Sequence, residues 1–287
     1  MTATHLDTTA DPADRTGTGL AGRPGPPDGR RRPVPPALVV VAHGSRDPRA
    51  PSTVRALLDR VRALRPGLPV HLGHIELNAP LLPDTLDELG ARATGSAVLV
   101  PLLLGRGFHV KRDIPEMAAR ARPHPRVAAP LGPHPLLVDA LHARLTEAGW
   151  PTRTDDGTRR ASGVVLAAAG SRDPEAKADT GRTARLLAER LGVPVVPAYA
   201  SAAAPTVLDA LRALAARGRH RVAVASCFTA PGRFATECAE AAPWIASAPL
   251  GAHPAVARLL LHRYDQARGT APTAAPAPVP APVPAPA

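Results

Sequence analysis

At 287 residues, 45% of them hydrophobic, the chain has material for two ordinary domains with cores of their own. Its formal charge of +11 would suit a polyanionic partner, but 2% aromatic content leaves few stacking platforms and no recognition-helix or zinc-finger pattern accompanies the charge, which argues against nucleic-acid binding. No apolar run is long enough to span a bilayer, and Met1 to Arg15 lacks the apolar stretch of a signal peptide. Cys227 and Cys238 form neither a metal spacing nor a disulfide framework, so a cytoplasmic protein is expected, with no membrane association.

Residues 1–36 are rich in Pro, Gly, Asp, Thr and Arg without periodicity, and a disordered tail is expected there. Next comes the apolar run Val39-Val40-Val41-Ala42, cut off by His43-Gly44-Ser45-Arg46-Asp47-Pro48. A buried strand of a parallel sheet reads this way, followed by a glycine turn and a helix start at Asp47-Pro48. A helix follows over Pro51–Leu64, with Val54, Leu57, Leu58, Val61 and Leu64 on one stripe. The pattern then predicts a strand over Val70–Leu77, a helix over Leu82–Arg92 and a strand over Ala97–Leu104. After the loop Gly105-Arg106-Gly107-Phe108-His109 come a helix to Arg120, a short strand near Val127 and a helix over Leu136–Ala148.

Residues 151–162 read as a linker, after which the order recurs. Strands are expected at Val164–Ala168, Val195–Ala200 and Val222–Cys227, helices to Leu191 and over Thr206–Arg217, and a last helix from His253. Ala42 to Pro48 and Ala168 to Pro174 differ only where His43 becomes Ala169. The fold class is therefore α/β, as two tandem copies (37–150 and 163–268) of one domain, each a parallel sheet flanked by helices. Residues 269–287, an Ala-Pro-Val-Pro repeat, read as a second disordered tail.

Ligands of open α/β sheets bind beyond the carboxyl ends of the strands. In the first copy those ends offer His43, Glu76 and His109, two imidazoles and a carboxylate suited to a divalent transition metal. The aligned positions of the second copy are Ala169, Ser201, and Arg233 or Phe234, so all three groups vanish together while the scaffold stays. That joint loss favours a functional set over structural histidines. Ser45, Arg46, Arg106, Lys111 and Arg112 gather around the two histidines and would contact a ligand with several carboxylates. His74 shares a strand face with Glu76 and is a decoy or a secondary contact; His134 and His253, at matching helix starts, suit capping. No P-loop, dinucleotide fingerprint or G-x-S-x-G elbow occurs.

Val41-Ala42-His43-Gly44-Ser45-Arg46, Glu76 with Pro80, and His109-Val110-Lys111-Arg112-Asp113-Ile114-Pro115 resemble the sirohydrochlorin chelatases, class II chelatases that insert a divalent metal into a tetrapyrrole without ATP. The resemblance covers about residues 38–268 and implies two chelatase-like halves with the active site in the cleft between them. It implies His43 and His109 as active-site histidines, Glu76 as their metal-binding partner, and sirohydrochlorin, a polycarboxylate, as substrate. The metal, ferrous iron or cobalt, would be a co-substrate, and no organic cofactor is implied. Iron would give sirohaem and cobalt would serve cobalamin synthesis; a carrier that binds tetrapyrrole without turnover is the non-enzymatic rival.

Overall fold

The computed structural model describes residues 35–92, 96–153 and 155–269. Apart from Pro35, Pro36 and Gly269, the two expected tails lie outside the described residues.

Two four-stranded parallel sheets carry the fold. In the first, β1 (Ala37–Ala42) lies between β2 (Val70–His74) and β3 (Ala97–Pro101), with β4 (Arg126–Val127) outside β3. The second repeats this order with β5 (Ser162–Ala168) between β6 (Val195–Tyr199) and β7 (Arg221–Cys227), and β8 (Ile245–Ala246) at the edge. β1 and β5 are buried along their whole length, which their unbroken apolar sequences require.

The two-residue period of each central strand decides which layer its side chains enter. Val39 and Val41 join Leu82, Leu86, Ile114 and Ala118, so the outer face of the first sheet is covered by α2 (Leu82–Ala91) and α3 (Ile114–Arg120). Val165 and Ala167 likewise meet α7 (Val207–Ala215) and α8 (Arg233–Glu240). Leu38, Val40 and Ala42 face inward, as do Val164, Leu166 and Ala168, and all six belong to one apolar core shared by both halves. α1 (Arg49–Leu64), α4 (Pro135–Glu147), α6 (Pro174–Leu191) and α9 (Pro254–Gly269) fill that central layer.

The central layer is assembled by exchange. α4 ends the first half but packs on α6 and β7 of the second, while α9 ends the second half and packs on α1 and β3 of the first. Paired polar contacts fix both crossings. Arg144 of α4 donates to the Leu250 carbonyl, and Arg263 of α9, at the same repeat offset, donates to the Leu131 carbonyl. Arg65 grips Asp265 through two bonds of 2.7 Å, and the Tyr264 hydroxyl donates to the Pro36 carbonyl at 2.7 Å.

Several boundaries differ from the sequence expectation for local reasons. The second strand stops at His74, because the chain turns at Glu76 and passes Leu77 with φ +67°. The third stops at Pro101. The linker stretch holds a short helix, α5 (Asp156–Ala161), whose start is capped by the Asp155 carboxylate accepting from Thr158 N. Leu64, placed on the buried stripe by periodicity, is exposed at the last turn of α1. His134 and His253 cap α4 and α9, each Nδ1 accepting from the backbone N–H two residues on.

Because α9 covers the sheet of the first half, truncating a fully buried leucine on it should destabilise both halves at once. Leu260→Ala is expected to cost about 3 kcal/mol and to leave a single unfolding transition; urea titration followed by tryptophan fluorescence and by circular dichroism should give coincident curves.

Candidate active site

β1 is the strand from which the chain departs to both sides of the sheet, and the crevice beyond such a switch point is where α/β sheets hold ligands. His43 is the first residue past β1. Gly44 then turns with φ +103°, and a Cβ there would lie 1.9 Å from the Glu76 carbonyl oxygen, so a side chain is excluded. This contact lets Glu76 N donate to the His43 carbonyl at 3.0 Å and brings Glu76 beside His43. Asn78 Oδ1 accepts from Ser45 N at 2.7 Å, and Ser45 Oγ from Asp47 N at 3.1 Å, which ties the turn to the β2 end.

His109 arrives from β3 on a wide helical turn, His109–Asp113, and not in an open loop. Pro115, two residues into the following helical path, has no N–H to give the Lys111 carbonyl, and Ile114 N bonds back to His109 O instead. The turn places Asp113 four residues after His109, with its Oδ2 2.5 Å from His109 Nδ1. A carboxylate accepts, so Nδ1 carries the proton and Nε2 is left with its lone pair. His43 Nδ1 stands 3.3 Å from the Gly44 carbonyl, which sets the same tautomer. Asp113 was not singled out from the sequence; its i+4 spacing from His109 within a helix was the available signal.

The three candidate groups converge. The rings of His43 and His109 stand edge to face with centroids 4.7 Å apart, and His43 Nε2 is 3.6 Å from Glu76 Oε1. All three side chains are partly exposed. Among the described residues no three His, Cys, Asp or Glu side chains are already closed into a metal-binding cluster. The arrangement is an open one, made of two close pairs that share His43.

His43 and His109 line a cavity of about 680 Å³ between the two halves. The cross-half packing is symmetric: Ser45 Oγ would sit 3.7 Å from a Cβ at Gly232, and Ser171 Oγ 3.6 Å from one at Gly107. The second half contributes Ala169, Ser201 and Phe234 to the lining. The repeat offset makes these the counterparts of His43, Glu76 and His109. Ser201 N donates to the Ala169 carbonyl just as Glu76 N does to that of His43. The bond from Lys111 N to Gly107 O recurs from Thr236 N to Gly232 O, which pairs His109 with Phe234 and Phe108 with Arg233. One wall carries the two imidazoles, and the other, lined by alanines, phenylalanines and hydroxyl side chains, carries no charged group but Arg233.

The cations expected around the histidines divide. Arg46 lines the cavity, as does Ser45. Arg106 and Lys111 do not, because carboxylates of the second half take them. Arg106 donates from N, Nε and Nη2 to Asp179, whose side chain is fully buried, and Lys111 Nζ lies 2.8 Å from Asp173 and 3.2 Å from Glu175. Burial alone would raise the Asp179 carboxyl, but hydrogen bonds from Arg106 and Arg182 outweigh it and hold the group below the usual carboxylate range. Arg112 is exposed and outside the lining. His74 is buried, donates from Nδ1 to the Pro80 carbonyl at 3.1 Å, and lines a separate small cavity with Arg55 and Arg62. Burial pushes its imidazole below the ordinary range.

The CbiX family model matches residues 37–148 and again 163–267. The chain belongs to the CbiX family. Within this family it is similar to the sirohydrochlorin ferrochelatase of Bacillus subtilis (strain 168), 31% identical over 176 residues, 59% of this chain and 64% of that protein. It is also similar to the sirohydrochlorin cobaltochelatase of Methanococcus aeolicus, 33% identical over 81 residues, 28% of this chain and 57% of that one. The matches thus span less than two thirds of each relative. The fold is similar to that of SirB from Bacillus subtilis with Fe3+, with a TM-score of 0.65 and 25% identity, covering 81% of this chain and 95% of that one. Both halves of this CbiX-family chain are thereby members of one α/β chelatase-like fold in tandem.

The Asp179–Arg106 contact ties the loop that precedes His109 to the second half, and its pH dependence has a fixed sign. A carboxyl held low in the fold stabilises above its unfolded value, about 4, and that contribution fades as the pH falls below it. Asp179→Asn should lower the urea midpoint at pH 7, and the gap to the parent should close toward pH 3.

Proposed function

We propose that this chain is a sirohydrochlorin chelatase that inserts ferrous iron into sirohydrochlorin to give sirohaem, without ATP. The observation that carries the reading is the edge-to-face pair of His43 and His109 on the wall of a cavity roomy enough for an organic ligand, with the Glu76 carboxylate 3.6 Å from His43 just outside that lining. His43, Glu76 and His109 hold the metal on its way in. An open set suits this task, since the metal is a substrate and has to leave.

Insertion removes two protons from pyrrole nitrogens as the metal comes to be held by all four ring nitrogens. A metal passed from Nε2 to the macrocycle frees a lone pair at the same site, and that lone pair takes a proton. His43 and His109 are therefore both ligand and base, and water receives the protons afterwards. Glu76 Oε1, 3.6 Å from His43 Nε2, stabilises the imidazolium that results. Asp113 keeps the His109 ring turned so that Nε2 is the nitrogen on offer. Ser45 and Arg46 meet the carboxylates of the substrate at the cavity, while Arg106 and Lys111 act on it through the loop they hold. We place the reaction in the cytoplasm, where the free thiols of Cys227 and Cys238 stay reduced.

Cobalt is the second reading, supported by the cobaltochelatase relative and by a donor set, two imidazoles and a carboxylate, that accepts either ion. The test is anaerobic metallation of sirohydrochlorin with ferrous iron and with cobalt, followed by absorbance. The wild-type chain should accelerate insertion of at least one metal above the uncatalysed rate, and His43→Ala should lose about 100-fold or more while its circular dichroism is unchanged. Tetrapyrrole binding without acceleration by either metal would make the protein a carrier.

A further inference from the structure

The second half has lost every metal-ligating group of the first, yet its third loop still forms part of the cavity. The repeat places Phe108 and Arg233 at equivalent positions, one residue before His109 and Phe234 respectively. Both line the cavity, so its mouth is unlike on its two sides: an exposed phenyl ring on one, a guanidinium on the other.

The charged groups at the cavity then decide what Arg233 does. Asp47 is taken by Arg49, which donates to it from Nε and Nη2 at 3.0 and 2.7 Å. Arg106 and Lys111 are taken by Asp173, Glu175 and Asp179. Arg46 and Arg233 remain as the guanidinium groups of the lining. Arg233 is 75% exposed and makes an exposed ion pair with Glu237 on the same helix, Nε to Oε1 at 3.7 Å, too long for a hydrogen bond and open to replacement by a ligand carboxylate. Its guanidinium carbon lies 4.7 Å from the Phe234 ring centroid, which holds the head group over the ring and cuts the rotamer freedom lost on binding. A planar, braced guanidinium with donors to spare is the group that recognises a carboxylate in two-point fashion.

We propose that Arg233 binds a peripheral carboxylate of the tetrapyrrole from the second half, so that the half without metal groups selects and orients the substrate. This deepens the proposed function and rests on it. With Arg46 on the first half, the two guanidinium groups grip the macrocycle from both halves, and Phe108 offers it an apolar contact. The loss of imidazoles from the second half thus leaves a one-sided cavity in which the substrate has one preferred orientation.

The test uses the full chain, metal-free sirohydrochlorin binding by absorbance, and anaerobic cobalt insertion for KM and kcat. Arg233→Ala should weaken binding and raise KM about 10-fold, with the loss falling on KM more than on kcat, about 1.4 kcal/mol. Arg233→Lys should recover part of it, since the charge returns without the fork. Arg217→Ala, which removes a surface charge away from the cavity, should leave KM where it was. A KM within twofold of wild type in Arg233→Ala, or a loss confined to kcat, overturns the inference while the chelatase reading stands. If Arg233→Ala does not fold, Arg233→Gln is judged by the same criteria. A wild-type chain that neither binds nor metallates sirohydrochlorin overturns the function and this inference together.

Discussion

The exchange of α4 and α9 is the constraint on which the rest depends. Each sheet is covered on its inner face by the last helix of the other half, so the apolar core between the sheets is one body and only the outer layers belong to one half each. Apolar burial of this kind sets the spacing of the two sheets, and the sheets in turn bring their strand ends together. The cavity is what remains between two rows of strand ends that cannot approach further. Arg144 and Arg263, each reaching a carbonyl of the opposite half, fix that spacing with polar geometry.

Chemistry is then added to one side only. Gly44 and Gly170 turn the chain the same way in both halves, and either would push a Cβ into the carbonyl of the residue paired with it. The first half uses this turn to bring His43 and Glu76 together, and the second uses it to bring together Ala169 and Ser201. A common scaffold therefore presents imidazoles on one side and a wall of small, aromatic and hydroxyl side chains with one guanidinium on the other. The ion pairs of Arg106 and Lys111 with Asp179, Asp173 and Glu175 join these two sides beside His109.

Much of this was legible in the sequence. Strand and helix order followed from apolar runs and periodicity, the duplication from the repeated turn, and the nearness of His43, Glu76 and His109 from their places at neighbouring strand ends. What stayed hidden depends on pairing at long range. Nothing local in Arg106 or Lys111 tells that carboxylates far along the chain, Asp179 and Asp173, will neutralise them. The helix exchange is equally silent, because α4 and α9 show the same apolar stripe whichever sheet they cover. The repeat pattern leaves Arg233 and Phe234 equally matched to His109, and the hydrogen bond from Thr236 N to Gly232 O decides for Phe234. Asp113 was visible as a spacing but not as a partner.

The exchanged helices also bear on how such a chain changes over generations. A duplicate gene segment is ordinarily free to decay once its twin keeps the activity. Here the second copy supplies α9, whose buried face includes Leu259, Leu260 and Tyr264, to the sheet that bears His43. Deleting it would strip the working half of its cover. The second copy lacks the imidazoles and the carboxylate of the first but keeps the helix that the first copy's sheet needs, so it is bound to the fold whatever chemistry the first copy performs.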